Sequence, residues 1–207
     1  MAERPVPMGK VSFEEFLASC DEDTWAEWVD GRVSVVSPAS DRHQDLADFL
    51  TAILRIYVES RSLGVVRSAP FLMRLLPVPS GREPDLFFVA APHRDRLKET
   101  YMDGPADLVV EIVSPESRLR DRGEKYAEYE LGGVREYWII DPELRRSDFY
   151  HLDPRGRYRL VEPDAGGRYA SAVIPGLWLQ VEWLWQEPLP PVLTVLRELG
   201  LIPEAAR

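Results

Sequence analysis

With one cysteine, Cys20, in 207 residues, the chain cannot close an intramolecular disulfide, and Cys20 reads as a small buried apolar residue. Histidine is scarce too: His43, His93 and His151 lie far apart, so a Cys/His zinc site has little support. No apolar run approaches the roughly 18 residues a membrane span needs, since even Asp107 to Val113 carries Glu111 inside it. Positive charge is also short. Against 35 Asp and Glu stand 25 Lys and Arg, a net charge of −10, which argues against broad adhesion to nucleic acid by counterion release. Any contact with nucleic acid must therefore be local. Met1 to Lys10 holds charges and prolines but no apolar core, so it does not read as a secretory signal, and the cytoplasm is the expected location.

What is present is globular. Hydrophobic residues at 45% and charged residues at 29% separate a core from a surface, and the length suits a single domain over residues 1–207, with its core at about 12–185. Ser12-Phe13-Glu14-Glu15 is a capping box that opens a short helix running to about Cys20, ahead of the acidic run Asp21-Glu22-Asp23. Trp25 to Ser37 alternates around Asp30-Gly31, the signature of a tight hairpin. Ser40 caps a longer helix whose apolar positions Leu46, Phe49, Leu50, Ile53, Leu54 and Tyr57 fall on one face, with Gly64 as its stop. Val65 to Ser68, Phe71 to Leu76 and Pro84 to Ala90 read as strands of one sheet, and Asp107 to Val113 as a strand buried on both faces. Ser117 opens a helix that extends to Gly132-Gly133, and Arg135 to Ile140 is the next strand. Extra strands near Ser147 to Leu152 and Arg157 to Glu162, a Trp-rich segment and a tail helix at about 192–199 complete the chain. The order predicts an α/β fold, a mixed β-sheet flanked by helices with extra β-rich C-terminal strands. Leu131-Gly132-Gly133 lacks the glycine spacing of a dinucleotide-binding turn.

Asp85 and Glu111 interrupt strands that otherwise read as buried, and such breaks of pattern concentrate at functional sites. Two carboxylates about 4 Å apart repel by roughly 4 kcal/mol at an effective dielectric near 20, a repulsion that a cation relieves. Mg²⁺ suits them, because it takes one or two carboxylates and keeps waters. Taken singly, each could equally cap an element or pair with an arginine. Lys125 shares a helix face with Asp121 and Tyr129, which by itself is compatible with an ordinary solvated Asp121–Lys125 pair. The start of that helix is poor in large apolar residues and should border a cleft. Glu27, alternating with Trp25, is either a third acid of the site or a solvent-facing strand residue. His43 lies near its helix start on the core-facing side, either close to the cleft or as a satisfied, partly buried histidine. Trp178, Trp183 and Trp185, with no basic residue between them, suit tail core or a dimer contact better than base stacking.

Several segments together resemble the Uma-two family of bacterial endonucleases, within the PD-(D/E)XK nuclease superfamily. They are Pro84-Asp85, Asp107 to Pro115, then Asp121, Lys125, Tyr126 and Tyr129, and Gly133 to Pro142, with Glu27 to Gly31 and Ser37-Pro38 followed by His43 upstream. The similarity spans roughly residues 12–185. It implies a restriction-endonuclease-like fold and a metal-dependent endonuclease acting on nucleic acid, DNA above all. By the resemblance, Asp85 and Glu111 hold Mg²⁺ or Mn²⁺ with the Ile112 carbonyl as a further ligand, and Lys125 is the catalytic lysine. The superfamily's lysine slot, two residues after the glutamate, holds Val113 here. Glu27, His43 and Asp121 are additional candidates, and Arg118, Arg120 and Arg122 could supply local phosphate contacts. A homodimer is expected, since two sites suit a duplex. The competing readings are a noncatalytic binding or assembly module on a nuclease fold and, behind it, a phosphoesterase for small substrates.

Overall fold

The computed structural model describes residues 9–20, 26–35, 39–76 and 78–203. The acidic run Asp21-Glu22-Asp23, Trp25 and Ser37-Pro38 lie outside the described residues. Helix α1, Phe13–Ser19, begins at Ser12 with both bonds of the expected capping box in place. Strands β1, Ala26–Val29, and β2, Arg32–Val35, form the hairpin, and Asp30 and Gly31 both take the positive φ that its two-residue turn requires. Helix α2 follows at Asp41–Ser60, its N-cap Ser40 accepting from the His43 N–H. All six apolar positions expected of α2 are buried. Burying each large apolar side chain contributes roughly 1.5–3 kcal/mol. The sheet beneath, more than intrinsic propensity, therefore holds this helix.

After α2 come β3, Gly64–Ser68, β4, Leu72–Leu75, β5, Ser80–Arg82, β6, Leu86–Ala90, a 3-10 turn at Ala91–Arg96, β7, Tyr101–Asp103, and β8, Leu108–Ile112. Gly64 opens β3 and does not stop α2, which ends four residues earlier at Ser60. Two short helices come next, α3 at Arg118–Arg122 and α4 at Glu124–Gly132. The sequence predicts one continuous helix here, and the break falls at Gly123. A Cβ on Gly123 would come within 2.7 Å of the Leu119 carbonyl oxygen, so the tight turn between the two helices needs glycine. Gly133, at φ 86°, closes α4 as expected. The remainder comprises β9, Glu136–Asp141, β10, Arg146–Leu152, β11, Tyr158–Leu160, β12, Arg168–Ala170, β13, Trp178–Gln180, a 3-10 turn at Val181–Trp185, and α5, Val192–Glu198.

The strands fall into separate sheets, so β3, β4 and β6 do not share one sheet as the sequence suggests. A six-stranded mixed sheet runs β11-β10-β9-β8-β6-β3, and β8 pairs parallel with β9. A five-stranded sheet runs β2-β1-β5-β4-β7, and β12 pairs with β13. Period-two patterning could not separate the two larger sheets, because β4 and β6 are both short, mostly apolar runs and the pattern says nothing of their partners. Leu108, Val110 and Ile112 of β8 face α2, while Val109 and Val113 face Tyr129 of α4 and Met73 and Leu75 of the five-stranded sheet. This two-sided burial explains the nearly unbroken apolar run. Trp183 is buried in the core under α2, and Trp178 and Trp185 pack against it. Of the two readings of this aromatic segment, tail core therefore describes Trp183, with Trp178 and Trp185 partly buried beside the same core.

Candidate active site

The site forms where the β6–β8 ladder ends. The antiparallel register reaches Leu86 opposite Val110, and extending it by one residue sets Asp85 opposite Glu111 on the same face as Phe87 and Val109. Here β8 loses β6 as a partner on one edge while it stays paired with β9 on the other through Ile112. The freed N–H of Ile112 donates to Asp85 Oδ2 at 2.6 Å, so the carboxylate caps a backbone donor that the ladder would otherwise have satisfied. His43 Nε2, on the first turn of α2, lies 3.3 Å from the same oxygen. Burial opposes protonation of His43, but its hydrogen bond to Asp85 and that carboxylate's charge outweigh it and raise the imidazole pKa. His43 Nδ1 is buried with no hydrogen-bond partner among the described residues.

From the other side α4 delivers Lys125. Its Nζ donates to Glu111 Oε1 at 2.8 Å and lies 3.2 Å from Glu27 Oε1 and 3.6 Å from Asp121 Oδ1. The Tyr129 hydroxyl also donates to Glu111 Oε1, at 2.7 Å. Lys125 and Glu111 are 2% and 3% exposed, deep enough that charge state dominates their energetics. Burial drives Glu111 up, the charges of Asp121 and Asp85 add to that, and Lys125 only partly offsets them, so Glu111 sits at about 8. Burial works against the Lys125 ammonium, yet Glu111, Glu27 and Asp121 raise its pKa and keep it a cation. In Asp121, burial outweighs Lys125 and raises the carboxyl pKa. Glu27 goes the opposite way: burial would raise it, but Lys125 and Arg82 pull it to about 2. It is neither solvent-facing nor free, because Arg82 Nη1 donates to its Oε2 at 2.9 Å.

Asp85, Glu111, Ile112, Lys125, Glu27, His43 and Asp121 all line one cavity of about 620 Å³. The three arginines do not stay together. Arg118 is paired with Asp141 and Glu143, and Arg122 with Asp148 through Nη1, and neither lines the cavity. Arg120 lines the cavity, with a buried Nε that lacks a hydrogen-bond partner. Leu119 between them is 88% exposed, as befits a helix start that borders a cleft.

Two residues of this region were not singled out from the sequence. Glu83 lines the cavity, and burial together with the Glu27 charge pushes it up to about 7. Arg82 is fully buried at 2% exposure and makes a bidentate bond to Glu128 at 2.8 and 2.7 Å. Their one sequence signal was a charged pair, Arg82-Glu83, directly before Pro84-Asp85. The histidines left without a role have local partners: His93 Nδ1 lies 3.0 Å from Asp107, and His151 Nε2 lies 2.7 Å from the Tyr169 hydroxyl.

Comparisons with known proteins bear on the family and the fold. The Uma2 family, described as "Putative restriction endonuclease", matches residues 13–182. An uncharacterized protein of Synechocystis sp. is 23% identical over 164 residues, covering 78% of this chain and 85% of its own. A crystal structure of a "putative nuclease belonging to DUF820" from Anabaena variabilis superposes with a TM-score of 0.69 at 16% identity, covering 84% of this chain and 97% of that one. At that identity the likeness speaks for a shared mixed α/β fold. Since the family match takes in every residue from α1 to the second 3-10 turn, including the whole carboxylate–lysine cluster, the chain belongs to the Uma2 family of nuclease-like proteins.

Proposed function

We propose that the protein is a metal-dependent endonuclease that hydrolyses phosphodiester bonds in DNA. One observation carries this reading: two carboxylates and a lysine, brought from β8, α4 and the entrance of β6, converge on one cavity beside the Ile112 backbone. The donors fit a hard divalent cation such as Mg²⁺ or Mn²⁺. Asp85 Oδ2 and Glu111 Oε1 are taken by protein donors, and the second oxygen of each carries no hydrogen bond among the described residues. No group of three His, Cys, Asp or Glu side chains among the described residues forms a ready cage. An ion that uses one or two carboxylates and retains its waters needs none. Asp85, Glu111 and the Ile112 carbonyl would hold it, and it would supply Lewis acidity and a bound water of lowered pKa.

The chain's own groups do the rest. The Lys125 ammonium stays protonated and sets a positive charge at the cavity wall, where it would offset negative charge developing on the phosphate. Arg120 supplies a second cation for the phosphate. Tyr129 and Lys125 fix the Glu111 carboxylate through one oxygen. The incubation of plasmid, single-stranded DNA and RNA with the protein under Mg²⁺ and Mn²⁺ tests the reading. Nicked or linearised plasmid is expected, and no product from any substrate would reject it. The noncatalytic alternative draws on the complete engagement of Lys125 by carboxylates; Mn²⁺ calorimetry separates the two, since a mere scaffold has no need to bind the ion.

A pH dependence follows. Glu111 holds a proton below about 8, and a cation must displace it. Apparent Mn²⁺ affinity is expected to fall by about tenfold per unit as pH drops below 8. Isothermal titration between pH 6 and 9 reads this directly, and a flat profile would remove the protonated Glu111.

A further inference from the structure

We propose that Arg82 and Glu27 are positioning residues that hold the Lys125 ammonium over Glu111, so that the five-stranded sheet sets the reach of a lysine whose target lies on the other sheet. The inference rests on the nuclease reading. A lysine on a helix has four rotatable carbons and a compact charge, and nothing intrinsic aims it at one point. Here the aim comes from a relay of alternating charge. Glu128 of α4 is gripped by the Arg82 fork, and Ser80 Oγ donates to Glu128 Oε2 at 2.6 Å. Arg82 Nη1 then donates to Glu27 Oε2 at 2.9 Å. The other oxygen of Glu27 lies 3.2 Å from Lys125 Nζ, which donates onward to Glu111. Glu128 and Lys125 stand three residues apart on α4 and so face the same side. Arg82 and Glu27 therefore grip the helix and the tip of its lysine at once.

If the network served only to fasten α4 to β5, the Ser80–Glu128–Arg82 bonds would suffice. The bond from Arg82 to Glu27, and the contact from Glu27 to Lys125, extend it to the reacting groups. Arg82, Glu27 and Lys125 side chains are each only 2–3% exposed. Burying such charges is costly unless each is fully paired, and hydrophobic replacements often match them in stability. The retained charge thus points to placement of the lysine rather than to stability.

The test is a double-mutant cycle. Glu27→Gln keeps size and an acceptor for Arg82 but removes the charge facing Lys125. Turnover is expected to fall about tenfold to a hundredfold, with KM and Mn²⁺ affinity changed by less than about threefold. In a Lys125→Ala background the same substitution should cost under about twofold, because the lysine it positions is gone. Arg82→Lys, which keeps charge but not the fork, should fall between wild type and Arg82→Gln. Reductive methylation of Lys125, read by mass spectrometry, should be faster in Glu27→Gln than in the core variant Phe16→Leu, the two compared at equal distance below their measured melting temperatures. Losses that multiply in the double variant, or equal labelling in Phe16→Leu, would assign the pair a structural role and overturn the proposal. A wild-type protein that cleaves nothing would refute the nuclease reading, and the labelling comparison would still decide whether Glu27 holds the lysine.

Discussion

Glu111→Gln is expected to lower turnover on the order of 10³-fold or more, the scale seen when a preorganised electrostatic group is lost from a reacting centre, and to stabilise the metal-free protein at alkaline pH. Both effects come from one fact, that Glu111 is a buried carboxyl sharing a single lysine with Glu27 and Asp121. The folded protein keeps the Glu111 proton up to about 8, whereas an unfolded glutamate releases it near its model value of 4.5. Between those values the folded state binds more protons, so metal-free stability falls as pH rises through that window. Glutamine removes the Glu111 share of this slope and leaves the share of Glu83, which burial pushes up to about 7. Glu27 does not blur the result, because its pKa of about 2 lies well below the window. Thermal melts at pH 6 and pH 8.5 without divalent ions, beside plasmid cleavage rates with Mg²⁺, check both halves. A glutamine variant with wild-type turnover would dismiss Glu111 from the chemistry, and an unchanged pH slope would dismiss the buried proton. Asp85→Ala should behave differently, although it too should stop cleavage. It strands the buried Ile112 N–H, at a cost of about 1–3 kcal/mol, so this variant should melt lower at every pH.

Lys125→Ala is expected to reduce turnover by about 10²- to 10³-fold while leaving Mn²⁺ affinity equal or higher, because the ion takes over the lysine's role as countercharge. In the metal-free state the change should be destabilising by roughly 3–5 kcal/mol, since three carboxylates lose a common partner in low dielectric. Lys125→Met, of closer volume, separates the charge effect from the cavity. A restorative change is also available. Val113 follows Glu111 by two residues on the same face, about 6.6 Å along the strand, within reach of a lysine side chain. Adding Val113→Lys to Lys125→Ala should therefore recover a measurable part of the rate, the new stem entering volume that Lys125 vacated. Recovery should be partial, because Val113 is 2% exposed among Val109, Tyr129 and Ile139, and overpacking there costs about 1–3 kcal/mol. Cleavage rates and Mn²⁺ titrations on the wild type, single and double variants decide it. Undiminished turnover in Lys125→Ala would show that another cation serves the site, and lost Mn²⁺ binding would make its role structural.

The elements were largely legible because their signals are local. The Ser12 capping box, the Asp30-Gly31 turn, the apolar stripe of α2 and the Gly133 stop each lie within a few residues and do not depend on what packs against them. Asp85 and Glu111 were legible for a related reason, as carboxylates where strand pattern calls for apolar residues. Pairing was not legible. Which strands share a sheet depends on long-range partners, so β4 and β6 looked alike although they belong to different sheets. The break at Gly123 was missed because one glycine in a helical stretch is usually tolerated, and here the approach of the Leu119 carbonyl decides.

The sequence by itself determined the α/β order, the apolar faces and the misplaced carboxylates Asp85 and Glu111, because periodicity, caps and breaks of pattern are properties of neighbouring positions, whereas Lys125 stood out through the family resemblance and not through its spacing. Only the tertiary structure decided how those charges are distributed. It tied Arg118 and Arg122 to Asp141, Glu143 and Asp148, left Arg120 at the cavity, and threaded Arg82 and Glu27 to Lys125 across 55 and 98 residues of chain respectively from Glu27. Such pairings follow from which strands meet and how deeply each charge is buried, and Coulomb energy in a low-dielectric interior depends on those distances and not on spacing along the chain.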